Sequence, residues 1–190
     1  TVLNALSYLF QREDLPAELV RNIMIYCLDC YNEEGRPGGN GTSRAAMMFL
    51  SNWLSSFGRT GQLDISSRYL SGSCVRVSQN SSVTDCLRRG GAVVVRLYLL
   101  EDPHYILLTG VDEERIYAFD PYLLEEPLPE KDIIVTDAHP YRYNRVIPFS
   151  YFNHTGHTQY ALGETAGREA VLLFNTHTEL TEEKTIEYII

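Results

Sequence analysis

Leu3, Leu6 and Phe10, or Val2, Leu6 and Leu9, share one face if the first ten residues are helical. That apolar stripe begins with no room for a capping residue before it, which implies a natural chain extending upstream of Thr1. Pro16 and Glu18 suit the first turn of a second helix, with Leu19, Val20, Ile23, Cys27 and Tyr31 as its buried stripe. Glu33 to Gly41 is turn chemistry throughout. Thr42 or Ser43 then caps a third helix that runs to Phe57 and stops at Gly58. Its apolar residues, from Ala46 and Met47 through Phe49, Leu50, Trp53, Leu54 and Phe57, cover so wide a face that the helix is expected to be well buried.

The period changes after Gly61. Ile65 to Val77 yields only short pieces, and Ser82 to Arg89 reads as a short capped helix stopped by Gly90-Gly91. Ala92 to Leu100 is a β-rich apolar run and the firmest strand. Tyr105 to Thr109, Ile116 to Phe119, Val146 to Phe149 and Ala170 to Phe174 are further strands, and Asp112-Glu113-Glu114-Arg115 turns the chain between the first two of them. Helices followed by mostly antiparallel strands predict an α+β domain over 1–190, helical in 1–60 and mainly sheet in 61–190.

Length and composition agree with one globular domain: 190 residues, 44% hydrophobic and 22% charged. No apolar run approaches the roughly 20 residues of a membrane helix, and nothing resembles a secretory signal, so a cytoplasmic location without a membrane span is expected. The 16 bases and 25 acids give a net charge of −9, which argues against binding nucleic acid. Eleven acids and two bases fall between Glu101 and Asp137, so that segment holds the whole excess and the rest of the chain is neutral.

Cys27, Cys30, Cys74 and Cys86 are too few for a disulfide scaffold. Cys27-Leu28-Asp29-Cys30 has redox or zinc half-site spacing but no second pair, and its helical setting favours packing. Asn153-His154-Thr155-Gly156-His157, His139 and His177 read as loop histidines, since spacing supplies no complete metal ligand set. No metal or cofactor is expected. Tyr141-Arg142-Tyr143-Asn144-Arg145 reads as an amphipathic edge or a stacking surface. Gly38 to Ser43, before a helix, suits an anion or lines a groove.

The residues that carry chemistry are His104 and Asp120. His104 opens one strand and Asp120 closes the next, 16 residues later. If the hairpin turns near Glu113, residues equidistant from the turn lie opposite each other and both side chains reach the same open end of the sheet. A carboxylate beside an imidazole fixes its tautomer and stabilises the imidazolium, which is the base-and-orienter half of a nucleophilic triad.

His104-Tyr-Ile-Leu-Leu-Thr-Gly-Val-Asp112 followed by Tyr117-Ala-Phe-Asp-Pro-Tyr122 resembles the His and Asp motifs of bacteriocin-processing (double-glycine leader) cysteine peptidases, within the papain-like superfamily. Asp85 to Val95 resembles that family's short helix, glycine and apolar strand before the His, and Thr1 to Leu6 resembles its first helix. The resemblance spans Thr1 to about Tyr122. It implies a papain-like cysteine proteinase fold, with N-terminal helices packed on a mainly antiparallel sheet. It also implies that His104 is general base and acid, and that Asp120 orients it. The family's nucleophilic Cys, preceded by an oxyanion-hole Gln, sits at the start of the first helix, so here both are expected upstream of Thr1.

These readings predict a cysteine-dependent, peptidase-like hydrolase working through a covalent acyl-enzyme on a peptide or other acyl substrate. The same chemistry permits acyl transfer to an amine. A catalytically inactive papain-fold binding module is the alternative, and a thiol-redox or metal protein using Cys27 and Cys30 is a third. Cys74 and an N-terminal Thr1 are the internal nucleophile candidates. Because the acidic segment holds His104 and Asp120, the expected substrate is neutral to cationic.

Overall fold

The computed structural model describes residues 1–27, 36, 41–60, 63–124 and 127–176. Tyr31, Cys30, Gly38 to Asn40, His177 and the tail from Glu179 lie outside them.

Helix α1 (Val2–Phe10) buries Val2, Ala5, Leu6, Leu9 and Phe10, which combines the two stripes expected from its period. Thr1 holds the N-cap position, yet its hydroxyl caps nothing and donates instead to the carbonyl of Tyr105 at 3.0 Å. Helix α2 (Ala17–Tyr26) buries only Leu19 and Ile23; Val20 and Cys27 are half-buried. Helix α3 (Arg44–Gly58) is capped by Ser43, whose hydroxyl accepts from the Ala46 amide at 3.1 Å. Its buried face is narrower than its apolar composition implies. Met47, Leu50, Ser51, Leu54 and Phe57 point inward, while Met48 and Phe49 are about half exposed.

Seven strands follow: β1 (Ile65–Ser71), β2 (Ala92–Leu99), β3 (Asp102–Val111), β4 (Arg115–Phe119), β5 (Ile134–Val135), β6 (Arg145–Pro148) and β7 (Glu169–Asn175). They form one open antiparallel sheet in the order β1-β7-β2-β3-β4-β6-β5, so the protein is α+β. Helix α4 (Ser82–Arg88), with a Ser81/Thr84 capping box, the single turn α5 (Phe149–Phe152) and two 3₁₀ turns (Gly72–Cys74 and Thr165–Gly167) complete the described elements. None of the described helices is long and apolar enough to cross a membrane.

β1 is the longest of the described strands and helices that the sequence pattern did not reveal, the others being β5 and α5. Ile-Ser-Ser-Arg-Tyr-Leu-Ser lacks alternation because much of its anchoring is polar. Ser55 of α3 donates to the Ser67 carbonyl at 2.6 Å and accepts from its amide at 3.0 Å, and Ser51 pairs with the Ser67 hydroxyl at 2.7 Å. β2, by contrast, is buried on both faces, which is why it reads as a continuous apolar run.

Alternation along β2 feeds two cores. Val93, Val95, Leu97 and Leu99 join Ile106, Leu108, Val83, Leu87 and Phe152 on one face; Ala92 and Val94 join Leu107 and the inner faces of α1, α2 and α3 on the other. Helix α1 lies along β3, held by two hydrogen bonds to that strand. Thr1 bonds the Tyr105 carbonyl, and the Tyr8 hydroxyl donates to the Thr109 carbonyl at 2.7 Å. These seven helical residues span about 10.5 Å, and they bring the N-terminus of α1 to the end of β3 that carries His104.

Candidate active site

β3 and β4 pair Leu107 with Phe119 and Leu108 with Ala118, then Gly110 with Tyr117 and Val111 with Ile116. The extra residue, Thr109, is a β-bulge. Continued by one pair beyond Leu107 and Phe119, the ladder sets Asp120 opposite Ile106, and His104 lies two residues further along the same face. The diagonal is within reach of an imidazole. His104 Nε2 donates to Asp120 Oδ1 at 2.7 Å, so the sheet brings the two residues together by diagonal rather than direct pairing.

Asp120 is completely buried and His104 is 23% exposed, so the carboxylate faces the protein and the ring faces solvent. Burying a carboxylate is costly unless its oxygens are bonded. Here the Tyr122 amide donates to Oδ1 at 2.9 Å, and the Tyr160 hydroxyl donates to Oδ2 at 3.1 Å. Arg145 Nε donates to the same Tyr160 oxygen at 3.2 Å, while its other nitrogens bond the carbonyls of Asn144 and Tyr122. Asn144 clamps the backbone of Asp120, accepting from its amide and donating to its carbonyl, both at 2.8 Å. Burial, and then the nearby Asp120 charge, push the Tyr160 hydroxyl well above its ordinary pKa, so it stays a donor to the carboxylate.

With Nε2 committed to Asp120, Nδ1 is the ring nitrogen left to accept a proton, and it has no hydrogen-bond partner among the described residues. The Tyr122 ring stands edge-on to the imidazole, with centroids 6.3 Å apart. His104 lines a cavity of about 460 Å³ together with Thr1, Gly41, Thr42, Ser43, Arg44, Arg96, Pro103 and Tyr105. Among the described residues, the charged members of this lining are Arg44 and Arg96, with no Asp or Glu. The sign beside His104 is therefore opposite to that of the 101–137 segment as a whole. A second cavity, of about 510 Å³, runs between Asn4, Ser7, Tyr8 and Gln11 of α1 and the Pro140–Arg142 loop; it reaches Phe119 but not His104.

Behind the first cavity sits a second buried carboxylate. Glu169 is fully enclosed; Tyr105 donates to Oε1 at 2.5 Å, Tyr69 donates to Oε2 at 2.7 Å, and Arg44 Nε lies 4.0 Å from Oε2. Burial, reinforced by Glu169, raises the Tyr69 hydroxyl to about 12 and Tyr105 further.

None of the described cysteines borders the His104 cavity. Cys86 is buried in α4, and desolvation raises its thiol to about 12, which makes it a poor nucleophile. Cys74 is exposed in a 3₁₀ turn after β1, and Cys27 is half-buried at the end of α2. His139, His154 and His157 are exposed; His157 stacks on Tyr98 at 4.0 Å and His139 tilts against Tyr143 at 4.5 Å. Among the described residues, no three His, Cys, Asp or Glu side chains converge as a metal site. Asn144, Arg145 and Tyr160, which hold Asp120 in place, carry no local sequence signature. The nearest signal was the Tyr-Arg-Tyr-Asn-Arg run, whose last two residues turn inward to the site.

No protein-family model, no curated protein and no solved structure matches this chain.

Proposed function

We propose that the chain is a papain-like cysteine hydrolase domain in which His104 is general base and acid, Asp120 orients it, and the nucleophilic thiol belongs to the segment preceding Thr1. The observation that carries this reading is the 2.7 Å His104–Asp120 bond, with Nδ1 unbonded, in a cavity that Thr1 at the N-terminus of α1 also lines. A cysteine just ahead of that terminus would benefit from the positive end of the helix, where thiol pKa values fall.

The chemistry follows from the charges. His104 Nδ1 takes the thiol proton, and the resulting thiolate attacks the acyl carbon. Asp120 stabilises the imidazolium so formed through Nε2. As the tetrahedral intermediate collapses, the bond from the acyl carbon to the leaving group breaks and the imidazolium gives its proton to that leaving amine or alkoxide. Water then attacks the thioester, His104 takes its proton and returns it to the departing thiol. An amine in place of water makes the same half-reaction an acyl transfer, so peptidase and acyltransferase share every residue named here.

The test is pre-steady-state hydrolysis of an activated p-nitrophenyl ester by the full-length protein. A burst of p-nitrophenol stoichiometric with enzyme is expected, the signature of an acyl-enzyme. His104→Ala should lower the burst rate by about 10²–10⁴-fold, the usual worth of a positioned acid–base group. An undiminished burst in that variant would reject the role of His104.

A further inference from the structure

The molecule's net charge suggests a cationic ligand, but the lining of the His104 cavity carries the opposite sign. Arg44 is the first residue of α3, and Arg96 lies opposite Tyr105 in the β2–β3 ladder. The two guanidiniums differ in how far they are neutralised. Arg44 shares Glu169 with two tyrosines, and both oxygens of Glu169 already accept phenol hydrogen bonds. Arg96 has no carboxylate partner among the described residues; its contacts are the Gly167 carbonyl at 3.5 Å and the Tyr98 ring at 5.8 Å. A half-buried guanidinium facing a cavity, bonded only to a distant carbonyl and a ring, retains most of its five donors for a ligand.

The backbone adds to this. Ser43 bonds the Ala46 amide with its hydroxyl and the Met47 amide with its carbonyl, and among the described residues the amides of Arg44 and Ala45, at the start of a 15-residue helix at the cavity wall, have no acceptor. The Glu169–Tyr69–Tyr105 cluster fixes the side of the cavity on which Arg44 stands.

We propose that this cavity is a carboxylate-binding subsite, with Arg96 as its principal cation and Arg44 as its second, so that the protein selects acyl substrates bearing an acidic group beside the reacting bond. The subsite deepens the hydrolase reading, and rests on it only for the identity of the reacting bond; the binding itself is independent of catalysis. A planar guanidinium pairs a carboxylate through two parallel hydrogen bonds, which favours Glu over Gln in the same position.

The test is a chemical-shift titration of the arginine Nε–H signals in the full-length protein. Its three probes are N-acetyl-glutamate α-methylamide, the corresponding glutamine compound, and N-acetyl-alanine. The glutamate compound should bind at least tenfold more tightly than the glutamine compound and shift the Arg96 signal. Arg96→Gln should abolish that preference, and Arg96→Lys should retain part of it. Tighter binding of N-acetyl-alanine would also support the subsite and identify its target as a terminal carboxylate. Equal affinity for the glutamate and glutamine compounds, or a preference that survives Arg96→Gln, would overturn the proposal. Loss of the ester burst with this preference intact would count against the hydrolase reading and leave the subsite standing.

Discussion

Tyr160 adopts a left-handed backbone conformation (φ 57°) that non-glycine residues visit rarely, and it does so while fully buried. What this placement achieves is a hydroxyl between Asp120 and Arg145, a carboxylate and a guanidinium that are joined through it. Tyr160→Phe keeps the ring and removes the shared hydroxyl. An unsatisfied buried group costs roughly 1–3 kcal/mol, so the urea midpoint should fall by that equivalent; an unchanged midpoint would mean that Asp120 Oδ2 is satisfied elsewhere. Thiol reactivity provides a second check at this scale. With its thiol raised to about 12 and its side chain buried, Cys86 should resist iodoacetamide at pH 8 until the protein is unfolded, while exposed Cys74 reacts first. Rapid alkylation of Cys86 in the native protein would contradict the packing of α4 against β2.

Among the elements, the end of α3 packs closely against the start of β1. A Cβ on Gly58 would lie 1.9 Å from the Ile65 carbonyl oxygen, which is backbone and cannot swing aside. Gly58→Ala should therefore cost more than about 2 kcal/mol, of the order of overpacking in a core. In a chain of this size that lowers the melting temperature by at least about 4 °C, and a change under 1 °C would show that the junction yields. Elements of this kind also mark how far the sequence could be read. The period of α1 and α3, the cap at Ser43, and the doubly buried β2 are all local signals, and the helices and strand they predict stand close to their expected bounds. β1 was hidden because serines of α3 anchor it. The bulge at Thr109, which sets Asp120 on the same face of the sheet as His104, leaves no trace in a chain of Leu-Leu-Thr-Gly. Even so, His104 and Asp120 were found, since a strand's end and the next strand's end are local information. Asn144, Arg145 and Tyr160 were not, because they reach Asp120 from 24 to 40 residues away.

For the whole molecule, burial of phenols shapes the response to alkali. Tyr69, Tyr105 and Tyr160 all have hydroxyls raised above the ordinary value of about 10, by burial first and by Glu169 or Asp120 next. Because the folded values exceed the unfolded ones, the stability they contribute is complete below pH 10. It is lost as the pH rises toward 12 and beyond, where the unfolded chain releases protons that the fold retains. With only two lysines, Lys131 and Lys184, that window belongs mainly to the 13 tyrosines. Urea midpoints should be level from pH 8 to 9.5 and decline steeply above 10; a midpoint that rises there would contradict the enclosed positions of these rings. The distribution of charge belongs to this scale as well. The −9 of the chain resides in the 101–137 segment, whereas the cavity within that same region is lined by Arg44 and Arg96. Net charge governs the long-range field, and the lining governs what docks beside His104.

The central claim is that His104 activates a thiol located ahead of helix α1. The most direct measurement is to react the full-length protein with a thiol-directed peptidyl vinyl sulfone and locate the adduct by peptide mass mapping, in the native protein and in His104→Ala. A single adduct on a cysteine N-terminal to Thr1, lost in His104→Ala, is the predicted result. An adduct on Cys27, Cys30, Cys74 or Cys86, or equal labelling of the variant, would contradict it.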